Sequence, residues 1–183
     1  MNSGGMQCAY PHESFTYFSK TWFFGVVILT MCLPCLVVAE PIRLWSGLAP
    51  GEKVESPDKV INSANGIRRI SEVTVPTIEV FHAEKEQATG VAVLVFPGGG
   101  YNRLAIDHEG IELCRWLSKK GITGVLLKYR VPRRVDRKKH EAALQDAQRA
   151  MVMIRKNATL WGIDPQKIGV MGFLQVGTWL QFC

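Results

Sequence analysis

Three short apolar segments constrain the fold of this 183-residue chain more than any other feature of its sequence. The first, Val91 to Phe96, has the sequence VAVLVF and runs directly into the glycines of PGGGY. The second lies in Gly121 to Arg130, and the third in Ile168 to Met171. Strands that are apolar on both faces belong inside a parallel sheet covered by helices. The three segments therefore predict three buried strands of an α/β fold.

The two segments between these strands have helical patterns. In the first, Asp107 is a candidate N-cap and Gly121 follows the helix end, while the apolar face consists of Ile111, Cys114 and Leu117. The second helix is predicted from about His140 to Asn157, with apolar residues on one side at Leu144, Ala147, Met151 and Ile154. Strand, helix, strand, helix, strand predicts an α/β plan with a parallel sheet and right-handed crossovers.

The first part of the chain, residues 1–39, contains an uninterrupted apolar run from Thr21 to Ala39. Lys20 precedes the run, and Val37 and Ala39 stand at the −3 and −1 positions of a cleavage site. We therefore predict a secretory signal peptide and a secreted or periplasmic protein. An uncleaved membrane anchor is the alternative, because the length of the run also suits a spanning helix.

Residues 40–71 are rich in Gly, Pro, Ser and Asn and predict an extended lead-in. Within the α/β segment at 72–173, Glu72 to Glu84 alternates apolar and polar residues, which predicts one or two half-buried strands with Pro76 at an edge or a break. Cys114 falls within a helical pattern, so we predict a small buried apolar residue rather than half of a disulfide. No metal-ligand spacing occurs, and no cofactor is expected.

The formal net charge of +6 is concentrated in Tyr129 to His140, YRVPRRVDRKKH. A nucleic-acid or anionic-surface role is one interpretation of this run. We favour a solvated loop without a nucleic-acid partner, because the run has no interleaved aromatic residue beyond Tyr129 and belongs to no recognisable binding module.

The glycines of PGGGY lie at the carboxyl end of a predicted parallel strand, where open α/β sheets place their ligand sites. A dinucleotide loop would need a further glycine at Arg103, and a phosphate loop would need Gly-Lys-Ser or Gly-Lys-Thr, which GGGYNRL lacks. Two interpretations remain open. The segment is either a plain tight turn or an oxyanion hole in which Gly99 and Gly100 donate their N–H groups to a developing negative charge.

Four segments of the chain carry a resemblance to a known family. They are WSGLAPG, VLVFPGGGYNRLAIDHEGIELCRWLSKKGITGVLLKYRVP, LQDAQRAMVMIR and WGIDPQKIGVMGF. In order and spacing they resemble the bacterial acetyl-xylan-esterase-like α/β-hydrolases. The resemblance implies the N-terminal part of an α/β-hydrolase fold, incomplete in this chain. It also implies a serine esterase that acts on acetylated polysaccharide or small esters, with an oxyanion hole at Gly99 and Gly100. Another acyl hydrolase, such as a lipase or peptidase-like enzyme, and a non-catalytic carbohydrate-binding protein are the alternatives.

Family members continue after the third strand with SAGGHLA, whose Ser is the nucleophile, whereas here Leu174 occupies that position. Leu has nothing to deprotonate and nothing to attack with. One DNA encoding of residues 174–183, CTG CAG GTG GGC ACC TGG CTG CAA TTT TGC, yields Ser-Ala-Gly-Gly-His-Leu-Ala-Ala-Ile-Leu when one T is placed in front. We therefore hypothesise a one-base deletion that leaves this tail out of frame.

The resemblance implies that the acid and the His of the triad come from strands after the nucleophile. We accordingly expect this chain to be catalytically inactive. Asp107 and His108 belong to the family-like DHEG segment, where capping and loop packing are the favoured roles. Asp146 is predicted to be a structural acid on the second helix.

Overall fold

The computed structural model describes residues 40–62 and 66–173. The predicted signal peptide at 1–39 and the predicted out-of-frame tail at 174–183 lie outside these residues. Across the two described ranges, no helix combines the length and the apolar character needed to cross a membrane.

Seven strands form two sheets. In chain order they are β1 (Ile42–Arg43), β2 (Lys59–Asn62), β3 (Arg68–Ser71), β4 (Thr77–Phe81), β5 (Ala92–Phe96), β6 (Thr123–Lys128) and β7 (Ile168–Gly172). The larger sheet has the order β1, β4, β6, β5, β7. β5 pairs in parallel with both β6 and β7, which confirms the predicted parallel core. β4 pairs antiparallel with β6, and β1 antiparallel with β4, so the whole sheet is mixed.

The lead-in at 40–71 is more structured than its composition indicated. It contains β1 at the edge of the large sheet and the antiparallel pair of β2 and β3, with Lys59 opposite Ser71. Ile70 of β3 also forms an antiparallel bridge with Leu104. The next predicted strand region yields one strand, β4, which begins directly after Pro76. A proline lacks an N–H, so it marks the place where the ladder starts.

Two α-helices connect the parallel strands, namely α1 (Glu112–Ser118) and α2 (Glu141–Asn157). A π-helical turn, Asp107–Ile111, precedes α1. The predicted N-cap role of Asp107 is wrong, because this residue lies inside the turn and no side chain caps it. Its carboxylate instead accepts hydrogen bonds from the guanidinium of Arg68 (2.8 Å) and from the Arg68 N–H (2.9 Å). Arg68, which lies 39 residues earlier in the chain, therefore binds the carboxylate that was expected to cap the helix.

The two helices belong to different hydrophobic clusters of the large sheet. Buried residues of α2, Ala147, Met151 and Ile154, belong to a cluster with Leu94, Phe96, Val125 and Leu127. Buried residues of α1, Cys114 and Leu117, belong to a cluster with Val95 and Leu126. Successive residues of a strand point to opposite faces, so β5 and β6 supply both clusters. The burial of Cys114 as a free thiol confirms its predicted apolar role.

β7 differs from its prediction as a buried strand. Every residue of Ile168–Gly172 is partly or well exposed, and Met171 is 40% exposed. β5 covers one edge of β7, and within the described residues no strand pairs with the other edge. Apolar composition therefore indicated the strand correctly, while burial depended on which neighbours cover it.

Candidate active site

The carboxyl ends of the neighbouring strands β5 and β7 lie side by side. Phe96 stands opposite Gly172 in the parallel register, and the Phe173 N–H donates to the Phe96 carbonyl at 3.3 Å. The glycine loop leaves β5 at this point. β7 ends beside it, directly before the segment predicted to carry the nucleophile. Leu174, the residue at that predicted position, lies outside the described residues.

The glycine loop after β5 has a backbone that favours glycine. Gly99 has φ +145°, and Gly100 has φ +66°. A Cβ atom at Gly99 would lie 2.0 Å from the carbonyl oxygen of Arg103, so no larger residue fits without movement of the backbone. Tyr101 follows with φ +61°, an uncommon conformation for a residue with a side chain.

Hydrogen bonds hold this loop in one conformation. The Gly98 N–H donates to Oε2 of Glu109 at 2.8 Å, and the Gly98 carbonyl accepts from the Ala105 N–H at 2.9 Å. The carbonyl of Gly99 accepts from the Asn102 N–H at 3.2 Å. The loop is therefore closed by its own main chain and by one carboxylate from the π-helical turn.

Tyr129 supports the same loop from β6. Its side chain is buried, and its hydroxyl donates to the Pro97 carbonyl at 2.7 Å. Burial, followed by the proximity of Tyr101 and Glu109, raises the pKa of the Tyr129 phenol, so this group keeps its proton and remains a donor. Glu109 and Tyr129 were not predicted to be site residues. Neither lies near the glycines in sequence, and no local pattern links them.

The N–H groups of Gly99 and Gly100 are the candidate donors of the site. Within the described part of the chain, neither donates a hydrogen bond to a protein acceptor. Two adjacent donors in a loop that is already rigid can stabilise negative charge on a bound oxygen without reorganisation when the charge develops. This arrangement is chemically suited to an ester carbonyl that becomes tetrahedral.

The other candidate acids and bases have structural partners. Asp107 is held by Arg68, and the His108 Nε2 lies 3.8 Å from the Glu109 carboxylate. Asp146 is fully buried in an ion pair with Arg130, at 2.9 Å, which confirms its predicted structural role. No group of His, Cys, Asp or Glu residues in the described ranges could hold a metal ion.

The basic run from Tyr129 to His140 is only partly the solvated loop that its composition indicated: residues 132–140 are exposed or partly exposed, whereas residues 129–131 are buried. Arg130 has no exposed side-chain surface and also donates to the Pro50 and Ala142 carbonyls, at 2.7 and 3.0 Å. Arg134 forms an ion pair with Glu52 at 2.8 Å. A count of charges in the sequence could not separate these internal cations from the exposed ones, because the difference depends on carboxylates far away in the chain.

Three parallel strands with connecting helices, and a glycine loop after one strand beside the end of its parallel neighbour, define part of an α/β-hydrolase. Residues 51–178, the larger part of the chain, match the family model described as BD-FAE. The chain belongs to the BD-FAE family.

Two curated proteins and one solved structure illustrate what the chain is similar to. It is 36% identical over 88 residues to an acetylxylan esterase of Xylanibacter ruminicola, which is 48% of this chain and 18% of that protein. It is 36% identical over 81 residues to the endo-1,4-beta-xylanase B of Butyrivibrio fibrisolvens, which is 44% of this chain and 13% of that protein.

The solved structure is the acetyl ester-xyloside bifunctional hydrolase of Caldicellulosiruptor lactoaceticus. It is 31% identical with a TM-score of 0.56, over 74% of this chain and 42% of that chain. The chain thus spans less than half the length of each of these relatives.

Proposed function

We propose that the family domain to which this chain belongs hydrolyses carboxylic esters, with acylated plant polysaccharide such as acetylated xylan as its substrate. All three relatives above are named for xylan or xylosides, and two of them for acetyl esters. Small acetyl esters are expected to be accepted as well, because the reacting group is the same.

The observation that carries this proposal is the pair of N–H groups at Gly99 and Gly100, which have no acceptor among the described residues. When a nucleophile adds to the ester carbonyl carbon, the π electrons of the C=O bond move onto the oxygen. The two N–H groups would stabilise that oxyanion, with about 3 kcal/mol from each donor. The tetrahedral intermediate then expels the sugar oxygen, which takes up a proton, and water later releases the acyl group as a carboxylic acid.

We further propose that the 183-residue chain is inactive because Leu174 stands at the nucleophile position, and that residues 174–183 are translated out of frame. Sequencing the gene tests the frameshift directly. A Ser codon followed by codons for Ala-Gly-Gly-His in another frame at this point is the expected result. DNA that encodes no such motif in either other frame contradicts the hypothesis.

Hydrolysis of p-nitrophenyl acetate tests the function. The 183-residue chain and a protein made from the gene with one base restored are compared at equal concentration. We expect turnover by the restored protein only, because it regains the Ser. An inactive restored protein that is folded by circular dichroism would refute the esterase proposal. Equal turnover by both proteins would refute the role of position 174.

We infer that residues 1–39 direct export, which is supported by the apolar run from Thr21 to Ala39 and the small residues before Glu40. N-terminal sequencing of protein from the culture fluid or the periplasm is expected to start at Glu40. A protein that keeps these residues and sediments with the membrane would instead support the anchor.

A further inference from the structure

A cavity of about 230 Å³ lies in the loop that follows β6, and cationic side chains dominate its lining. The lining residues are Arg133, Arg134, Val135, Arg137 and Lys139. Pockets that hold whole drug-sized ligands usually measure about 300–1,000 Å³. A cavity of this size suits one small charged group better than a long polymer segment.

This cavity is attached to the glycine loop. The Arg133 N–H donates to the carbonyl of Tyr101 at 2.7 Å. Lys139 places its Nζ atom 5.3 Å from the centre of the Tyr101 ring. Tyr101 directly follows Gly100 in the chain. The cavity therefore contacts Tyr101, the residue that follows the two proposed oxyanion donors.

The cations that line the cavity are only partly neutralised. Arg134 pairs with Glu52 at 2.8 Å, and Arg137 pairs with Asp136 at 3.0 Å. Neither Arg133 nor Lys139 has a carboxylate partner among the described residues. The described residues thus supply carboxylate partners to only two of its four cations, which leaves the cavity lining positively charged. Arginine binds carboxylates through two parallel hydrogen bonds, which gives both strength and orientation.

We propose that this cavity is a subsite for a carboxylate carried by the polysaccharide, such as that of a uronic acid branch near the ester. The proposal rests on the proposed function, because it places the carboxylate and the ester on one substrate. Arg133 and Lys139 provide the attraction, while the main-chain bond from Arg133 to Tyr101 sets the distance from the glycine loop.

Calorimetric titration of the full chain tests this subsite. One ligand is a xylo-oligosaccharide with a single glucuronic acid branch, and the other is the neutral oligosaccharide of the same length. We expect the acidic ligand to bind roughly tenfold more tightly at low salt, an advantage that falls as salt screens the exposed cations. Equal affinities, or an advantage that ignores salt, would overturn the proposal.

A double variant and a matched control locate the effect. Arg133→Gln with Lys139→Gln keeps the main-chain bond to Tyr101 and removes two charges, so we expect the preference for the acidic ligand to disappear. Lys119→Gln with Lys120→Gln removes the same amount of charge between α1 and β6. This control variant should keep the preference for the acidic ligand. Loss in both double variants would show a general charge effect and refute the subsite.

A third variant tests the charge balance in the other direction. Asp136→Asn frees Arg137 from its carboxylate partner and should raise the affinity for the acidic ligand. A short single-stranded oligonucleotide is the competitor. Displacement of the acidic ligand by the oligonucleotide at a lower concentration than free glucuronate would contradict a carbohydrate subsite.

The proposed subsite and the proposed esterase activity can be refuted independently of each other. Ester hydrolysis by the frame-restored protein without a preference for the acidic ligand would refute the subsite alone. A preference for the acidic ligand together with no ester hydrolysis by the restored protein would refute the proposed function alone.

Discussion

The substitution Asp146→Asn removes one negative charge from the interior and leaves the size of the side chain almost unchanged. Asp146 and Arg130 are both fully buried. One carboxylate oxygen accepts from the Trp45 indole N–H at 3.0 Å, and the other from the Arg130 main-chain N–H at 3.0 Å. The Arg130 Nε–H lies within 3.1 Å of both oxygens. An asparagine amide group must therefore face an N–H donor in either orientation.

Removal of one partner of a buried ion pair typically costs about 3–5 kcal/mol, because the other charge stays buried without compensation. Glu52 lies 3.5 Å from the Arg130 guanidinium and partly compensates the remaining cation. We therefore expect a loss of about 3 kcal/mol in the free energy of unfolding, at the lower end of that range. For a domain of this size the melting temperature should fall by roughly 6–12 °C.

Urea unfolding followed by far-UV circular dichroism measures this loss. Asp136→Asn is the matched control, because the same atoms change on an exposed side chain that pairs with Arg137. Its unfolding midpoint should match that of the parent. A midpoint for Asp146→Asn equal to that of the parent would refute the reasoning, since it would mean that Arg130 tolerates burial without this carboxylate.

Three further predictions concern the loop, the buried thiol and a carboxyl group in the sheet. In the frame-restored protein, Gly99→Ala should lower kcat for p-nitrophenyl acetate roughly 100-fold, because its Cβ would meet the Arg103 carbonyl; Gly47→Ala, which meets nothing within 4 Å, should not. Burial, and then Glu79, raise the pKa of Cys114 to about 12, so iodoacetamide near pH 8 should label its peptide only after unfolding, and native labelling would contradict this. Burial also raises the pKa of Glu79 above its ordinary value of 4.5, against Arg115 and Arg68. The stability that protonated Glu79 contributes is present below pH 4.5 and is lost as the pH rises through the folded pKa. Glu79→Gln should therefore raise the melting temperature near pH 7 but not near pH 4. The same gain at both pH values would contradict this prediction.

The central strands and the long helix could be predicted closely from the sequence. β5, β6, β7 and α2 begin and end within one or two residues of their predicted bounds. Their signals are local, since an apolar run or a spacing of three and four can be recognised without knowing its partner. β1, β2 and β3 were not predicted as strands. All three are short, and β1 and β2 are exposed. β1 is defined by its pairing of Ile42 with Ile78, far away in the sequence.

The candidate site shows the same division. The position of the glycine loop was predicted from PGGGY and the strand before it, because only glycine accepts such a backbone easily. The residues that hold the loop, Glu109 and Tyr129, were not predicted. Each contacts it through a single hydrogen bond across at least ten residues of chain, and such a contact leaves no periodic signal.

The sequence alone determined the order of the three parallel strands and the two helices between them, the glycine turn and the concentration of positive charge after β6. Only the tertiary structure decided what each charge does. Arg130 and Arg133 are three residues apart in one basic run, yet Arg130 is completely buried while Arg133 is exposed at a cavity. The physical reason is that a buried cation needs a carboxylate within hydrogen-bond distance, and the fold brings Asp146 and Glu52 to Arg130 but neither of them to Arg133.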